Sequence, residues 1–182
     1  MGSDKADLLW KGRTFLQTVV ASREVIFQEC LVVGKPAPAD WCSGNAAYHE
    51  DVRKDCGPLG GIYTALLVCQ SPWALFVSCD TPLADRLIYE KVCLAKDEEF
   101  RRIVAVESSD GRWGNFPLLI PKTYIRTVRN LLDAGEKSVK SLLQESLRTA
   151  VALDAQEARK IRSINTPQDY EQLMGKGHEL VA

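Results

Sequence analysis

The sequence predicts a three-layer α/β/α domain on a mostly parallel sheet, and three observations carry that expectation. Short apolar runs at Cys30-Leu31-Val32-Val33, Ala74-Leu75-Phe76-Val77, Ile103-Val104-Ala105-Val106 and Leu118-Leu119-Ile120 are separated by stretches of helical character. The runs are continuously apolar rather than alternating, as befits strands buried on both faces. With 182 residues, 46% apolar and 26% charged, the chain can bury one sizeable core and fits a single domain.

Taken in order, Phe15, Leu16, Val19 and Val20, then Val25 and Ile26, form a helical stripe over 13–26 that fades into a turn. Cys30–Gly34 reads as a buried strand closed by Gly34 and Pro36, and 35–45 (KPAPADWCSGN) as a long polar loop. Ala46–His49 is a weak strand, followed by a Gly/Pro loop and a helix over roughly 60–70. The strongest strand is 74–79, followed by a helix near 84–96 and strands at 103–107 and 116–120. Helices near 121–133 and 138–146, a short strand at 150–153 and a helix from about 167 complete the pattern.

Composition excludes several classes. The net charge is −1 with both signs scattered, so there is no electrostatic footprint for nucleic acid or an anionic membrane. The best apolar run, Trp73–Val77, falls far short of the roughly 20 residues of a spanning helix. The opening MGSDKADLLW carries no basic, apolar and small-residue signal pattern, and Ala6 stands where myristoylation wants Ser or Thr. A cytoplasmic protein is expected. Six cysteines with no C-x-x-C pair, beside two histidines, predict free thiols rather than a zinc site.

In a parallel sheet the ligand sits at the carboxyl ends of the strands, so the loops there are the ones to read. Asp51-Val52-Arg53-Lys54-Asp55-Cys56-Gly57-Pro58-Leu59-Gly60-Gly61 ends at a helix start, where glycines and unpaired N–H groups suit a planar base or a phosphate. A tight strand-to-helix turn explains it as well. Ser78-Cys79-Asp80-Thr81-Pro82 puts a carboxylate at the tip of the strongest strand, a common way to hold magnesium on nucleotide phosphates. The plainer reading makes Asp80 or Thr81 a helix cap, with Pro82 starting the helix. In Arg162-Ser163-Ile164-Asn165-Thr166-Pro167-Gln168-Asp169, Thr166 and Pro167 read as an ordinary helix start. Trp10, Trp41, Trp73 and Trp113 read as packing residues, His49 has no nucleophile near it, and Lys137 and Lys140 read as a solvated face.

Together, M-G-S-D-K-A-x-L-x-W-K-G-R-T-F-L, D-x(5)-G-P-L-G-G-I, C-D-T-P and I-N-T-P-Q-D, in that order over essentially the whole chain, resemble the molybdenum cofactor guanylyltransferases. The resemblance implies a Rossmann-like nucleotide-diphospho-sugar transferase fold and transfer of GMP from GTP to molybdopterin, with Mg2+ as cofactor. By the same resemblance Lys5 and Asp80 are catalytic, Lys5 on the phosphates and Asp80 on the metal and the nucleotide. Asp51 would contact the nucleotide, Gly57, Pro58, Leu59 and Gly61 would wall the guanine site, and Asn165 would lie on the pterin side. Molybdoenzymes or cofactor-delivery proteins are the further partners implied.

Two departures stand out. Ser163 replaces the first Asn of the family's N-x-N-T-P element, though its hydroxyl can still donate. Family members also begin with an apolar strand and a glycine-rich L-x-G-G-x-S-x-R loop directly before M-G-x-D-K, and only the last part is present here. The first central strand is therefore expected to be missing, with unpaired edges inside the sheet. One reading makes Met1 an internal methionine, roughly 15–20 residues late, so that upstream codons encode the strand and loop. Two others stay open: a non-catalytic accessory or binding protein, and a related nucleotidyltransferase with another acceptor such as a sugar phosphate.

Overall fold

The structure is a computed structural model and describes residues 5–22, 27–35, 46–107 and 113–175, the side chains of 113–115 excepted. Trp41, Cys42, Val25, Ile26, most of the 35–45 loop and the side chain of Trp113 lie outside the described residues. After a short 3-10 turn at Lys5–Asp7 come β1 (Leu9–Trp10), β2 (Arg13–Thr14), α1 (Phe15–Ala21), β3 (Cys30–Val33), β4 (Ala46–His49) and α2 (Gly57–Val68). Then follow β5 (Trp73–Phe76), α3 (Arg86–Leu94), β6 (Ile103–Glu107), β7 (Trp113–Pro121), α4 (Ile125–Asp133) and α5 (Val139–Glu145). Last are β8 (Arg148–Ala152), α6 (Ala155–Lys160) and α7 (Pro167–Gly175).

Both faces of the main sheet are covered, and alternation along β6 makes the layers visible. Ile103 and Ala105 point into a core with Leu59, Ile62 and Leu66 of α2, Val128 and Leu131 of α4 and Leu142 of α5. Val104 and Val106 point the other way, into a core with Val92 of α3, Val151 of β8 and Ala158 of α6. A third cluster, Phe15, Ile164 and Leu173 with Trp10, Leu83 and Tyr170, seats α7 on α1 and the β1–β2 hairpin. That is the three-layer arrangement expected.

The main sheet has the order β5-β7-β6-β8. β5 and β6 are each antiparallel to β7, and β8 is parallel to β6, so β5, β6 and β8 share one direction and β7 alone opposes them. The Phe116–Ile120 run is as apolar as its neighbours because it too is buried on both faces, and burial does not report direction.

β3 and β4 form a separate parallel pair, registered from Cys30 opposite Ala46 to Val33 opposite His49. Among the described residues no strand joins this pair to β5. Helix α2 packs on both: Gly61 lies against Val33, while Ala74 and Phe76 of β5 pack on the core that holds Ile62 and Leu66. One helix therefore covers two strands whose facing edges carry no ladder. The apolar β5 is only partly buried at every residue. The expected break in the sheet falls between β3 and β5.

Local chemistry explains most element boundaries. Thr14 and Gln17 form a reciprocal cap on α1, the Gln17 N–H donating to Thr14 Oγ1 at 3.1 Å and the Thr14 N–H to Gln17 Oε1 at 2.8 Å. Asp154 and Glu157 do the same for α6, a helix the apolar pattern does not predict because none of its residues is buried. The β1–β2 hairpin also escapes the pattern. It turns on Lys11 and Gly12, both at positive φ (49° and 77°), in strands of two residues each. Helix α3 starts at Arg86, close to the expected 84 and past Pro82, because Asp85 caps it by accepting from the Ile88 N–H at 3.3 Å.

Gly60 sits inside α2, and a Cβ there would stand 2.7 Å from Cys56 Cβ and 3.3 Å from Arg53 O. An exposed helical Gly→Ala change gains about 1 kcal/mol. Here the close approach wins, and Gly60→Ala is expected to destabilise the fold by about 1–3 kcal/mol. Urea unfolding measures it; a raised midpoint would refute the packing argument.

Candidate active site

Three segments far apart in sequence meet beyond the carboxyl end of β5. Asp80 follows that strand, Lys5 opens the first described turn, and Asn165 precedes α7. Lys5 Nζ donates a hydrogen bond to Asn165 Oδ1 and stands 3.7 Å from Asp80 Oδ2. The Ile164 N–H donates to the Asp80 carbonyl at 2.8 Å, tying the Asn165 loop to the Asp80 loop through backbone.

Asp80 is not a cap. The turn around it is closed by Thr81, whose N–H and hydroxyl both donate to the Ser78 carbonyl (3.3 and 2.9 Å), and Asp85 takes the cap of α3. The Asp80 side chain is 18% exposed, and among the described residues its buried Oδ1 has no hydrogen-bond partner. A buried carboxylate oxygen left unpaired is unfavourable unless a ligand completes it. Among the described residues no three His, Cys, Asp or Glu side chains are grouped to hold a metal. A single carboxylate nevertheless suits Mg2+, which takes one or two protein carboxylates, with water and phosphate oxygens for the rest.

A second set of groups forms at the carboxyl ends of β3 and β4. The Gly34 N–H donates to the His49 carbonyl at 3.0 Å, and Asp51 lies between the two glycines Gly34 and Gly61. A Cβ on Gly34 would meet Asp51 Oδ2 at 3.5 Å, and one on Gly61 would meet Oδ1 at 3.8 Å. Lys35 Nζ reaches both Asp7 oxygens at 3.2 and 3.3 Å, bridging this end of β3 to the turn that carries Lys5.

Gly57, at φ 58°, is exposed and turned toward the α4–α5 connection. The Leu59 N–H donates to the Lys137 carbonyl at 3.4 Å, so one of the helix-start donors expected to face a ligand is already used. The Leu59 side chain is fully buried in the core; Pro58 is exposed. The structure thus groups Lys5, Asp80 and Asn165, groups Asp51 with Gly61, and sets Gly57 and Leu59 against Lys137. Sequence reasoning missed Lys35, Asp7, Asp85 and the contact between Lys5 and Asn165. Only Asp85 had a local signal, its position three residues before Ile88 at a helix start.

Burial pushes the Asp51 carboxyl above its ordinary range. A raised carboxyl favours the fold below its unfolded value and loses that advantage as pH rises through the folded value. Asp51→Asn is therefore expected to raise the melting temperature near neutral pH, the difference vanishing below about pH 4. Melting curves across pH test this; equal gains at every pH would refute it.

An α/β domain whose Lys5, Asp80 and Asn165 converge beyond a strand's carboxyl end, where sheets of this kind bind their ligands, has the build of a nucleotidyltransferase-type domain. The comparisons agree. The structure resembles the molybdopterin-guanine dinucleotide biosynthesis protein A of Archaeoglobus fulgidus (TM-score 0.79, 14% identity, 98% of this chain and 92% of that one). It also resembles the 2-C-methyl-D-erythritol 4-phosphate cytidylyltransferase of Thermus thermophilus (TM-score 0.72, 16% identity, 96% of this chain and 94% of that one). In sequence, the molybdenum cofactor guanylyltransferase of Pseudomonas paraeruginosa is 30% identical over 188 aligned positions, covering 98% of this chain and 88% of that protein. The Pseudomonas putida F1 enzyme of the same name is 24% identical, covering 92% and 86%. The model of the MobA-like NTP transferase domain matches residues 1–151, and the chain belongs to that family.

Proposed function

We propose that the chain is a molybdenum cofactor guanylyltransferase that transfers GMP from GTP to molybdopterin in the cytoplasm, with Mg2+ held at Asp80. The observation that carries the reading is the meeting of Lys5, Asp80 and Asn165 with Asp80 Oδ1 buried and unpaired. An oxygen of the molybdopterin phosphate attacks the α-phosphorus of GTP, the new P–O bond forms as the α–β bridge breaks, and pyrophosphate leaves with the electron pair. A dianionic phosphate is already a nucleophile, so no general base is required. The bound metal would supply charge neutralisation on the phosphates.

Lys5 offers an ammonium point charge to the leaving pyrophosphate. Asp80 lies 3.7 Å from that ammonium and would hold the cation. Asp51, held between Gly34 and Gly61, contacts the nucleotide, and the Gly57–Gly61 segment lines the guanine side. Catalysis is alignment plus electrostatics, with no covalent enzyme intermediate.

Calorimetric titration of the 182-residue chain with GTP, with and without Mg2+, tests the core of the proposal. Metal-dependent binding is expected. Binding of molybdopterin without GTP would instead favour an accessory role, and turnover of a sugar phosphate in preference to molybdopterin would change the acceptor.

A further inference from the structure

We propose that Asn165 is a positioning residue for the Lys5 ammonium, and that Asp169, from the first turn of α7, in turn positions Asn165. The proposal deepens the proposed function in one respect: it takes Lys5 as the cation that faces the GTP phosphates. It assigns Asn165 a task different from contact with the pterin.

The first link is direct. Lys5 Nζ donates to Asn165 Oδ1, whereas Asp80 Oδ2, at 3.7 Å, is an ion-pair neighbour beyond hydrogen-bond reach. An amide oxygen orients an ammonium without cancelling its charge. The full positive charge thereby stays available, and Asp80 is not committed to a tight salt bridge that a cation would have to break.

The second link explains how an exposed Asn on a loop keeps one orientation. Asp169 Oδ2 accepts from the Asn165 N–H (3.1 Å), the Thr166 N–H (3.0 Å) and the Thr166 hydroxyl (2.8 Å), and Oδ1 accepts from Arg162 Nη2 (3.0 Å). The Asp169 N–H returns a bond to Thr166 Oγ1 at 3.1 Å. A helix cap accounts for the reciprocal Thr166–Asp169 pair. It does not account for the bonds from Asn165 and Arg162, which fix the residue before the cap. The side chain of Asp169 is 13% exposed, and the Thr166 hydroxyl and the two backbone N–H groups hold its carboxyl below the ordinary range. The loop is fastened on its other side by buried Ile164, whose N–H is bonded to Asp80. Tyr170 on α7 donates to the Leu9 carbonyl at 2.6 Å, locking the helix to the hairpin that follows Lys5.

The test is spectroscopic first, so that it does not depend on turnover. In proton–nitrogen spectra of the 182-residue chain, the Lys5 ammonium, assigned with Lys5→Arg, should give a slowly exchanging signal of its own. That signal should disappear in Asn165→Ala and in Asp169→Ala, and Asp169→Glu, which keeps the cap, should restore it. Asn165→Asp should keep a bonded ammonium while weakening metal-dependent GTP binding, because the charge is then cancelled. With GTP and molybdopterin, Asp169→Ala should lower kcat on the order of a hundredfold with the KM for the acceptor unmoved.

A Lys5 signal unchanged by Asn165→Ala would overturn the proposal, as would a raised acceptor KM with unchanged kcat. If Asp169→Ala does not fold, the two Asn165 variants still decide the first link and Asp169→Glu the second. If the wild-type chain binds no GTP while the Lys5 signal behaves as stated, the proposed function fails and the positioning role stands.

Discussion

Replacing Asp80 by Asn is expected to lower metal-dependent GMP transfer by about 10²–10³-fold, the effect of removing one preorganised electrostatic group from a transition state. The substitution is nearly isosteric, so the turn closed by Thr81 and the bond from Ile164 to the Asp80 carbonyl should persist. Only the carboxylate charge and its unpaired Oδ1 are changed. Stability should barely move, because the Lys5–Asp80 pair is partly exposed and such pairs contribute about 0–1 kcal/mol. Pyrophosphate release at saturating GTP, measured over a range of Mg2+, gives the answer. Unchanged turnover at every Mg2+ concentration would remove Asp80 from the catalytic role.

Placing an apolar, β-branched strand and a glycine-rich turn ahead of Met1 is expected to raise the stability of this chain. β3 and β5 lie under one helix, yet among the described residues neither has a partner on the side where the two sheets part. Each backbone group left buried and unpaired costs about 1–3 kcal/mol, against a domain stability of roughly 5–15 kcal/mol. Supplying partners for even a few such groups gains about 4 kcal/mol, which corresponds to a rise of about 8–16 °C in melting temperature at this size. The partly buried residues of β5 should become protected from hydrogen exchange at the same time. The turn would also bring backbone N–H groups beside Lys5, so GTP affinity should rise with stability. Proline at the middle of the added strand is the control, since it removes a ladder donor. Equal melting temperatures for the added strand and its proline control would show that the gap does not accept a strand.

The two results are independent, because Asp80 acts on charge and the added strand on backbone pairing. Asn165 and Asp169 fall between them. Their effect should appear in kcat and in the Lys5 signal, with little change in melting temperature for Asn165→Ala.

Much of this was legible along the chain because it depends on near neighbours in sequence. Continuous apolar runs specify strands buried on both faces, and Gly, Pro and Asp after them mark the loops where a ligand belongs. The family motifs singled out Lys5, Asp51, Asp80 and Asn165 as candidates, and the structure brings Lys5, Asp80 and Asn165 together. Helix α6 and the β1–β2 hairpin were missed for a physical reason: both are short, and capping bonds or turn geometry hold them where a buried stripe does not. The start of α3 at Arg86 was decided by competition between possible caps, which Asp85 wins.

The layers and the positions of the main-sheet strands follow from the order of side-chain types in the sequence, and the candidate site residues from the resemblance of its motifs. The direction of β7, the parting of β3 from β5, the turning of Gly57 toward Lys137 and the bond from Lys5 to Asn165 depend on groups far apart in the chain. Those are matters of which surfaces meet once the core is packed, and only the tertiary structure decides them.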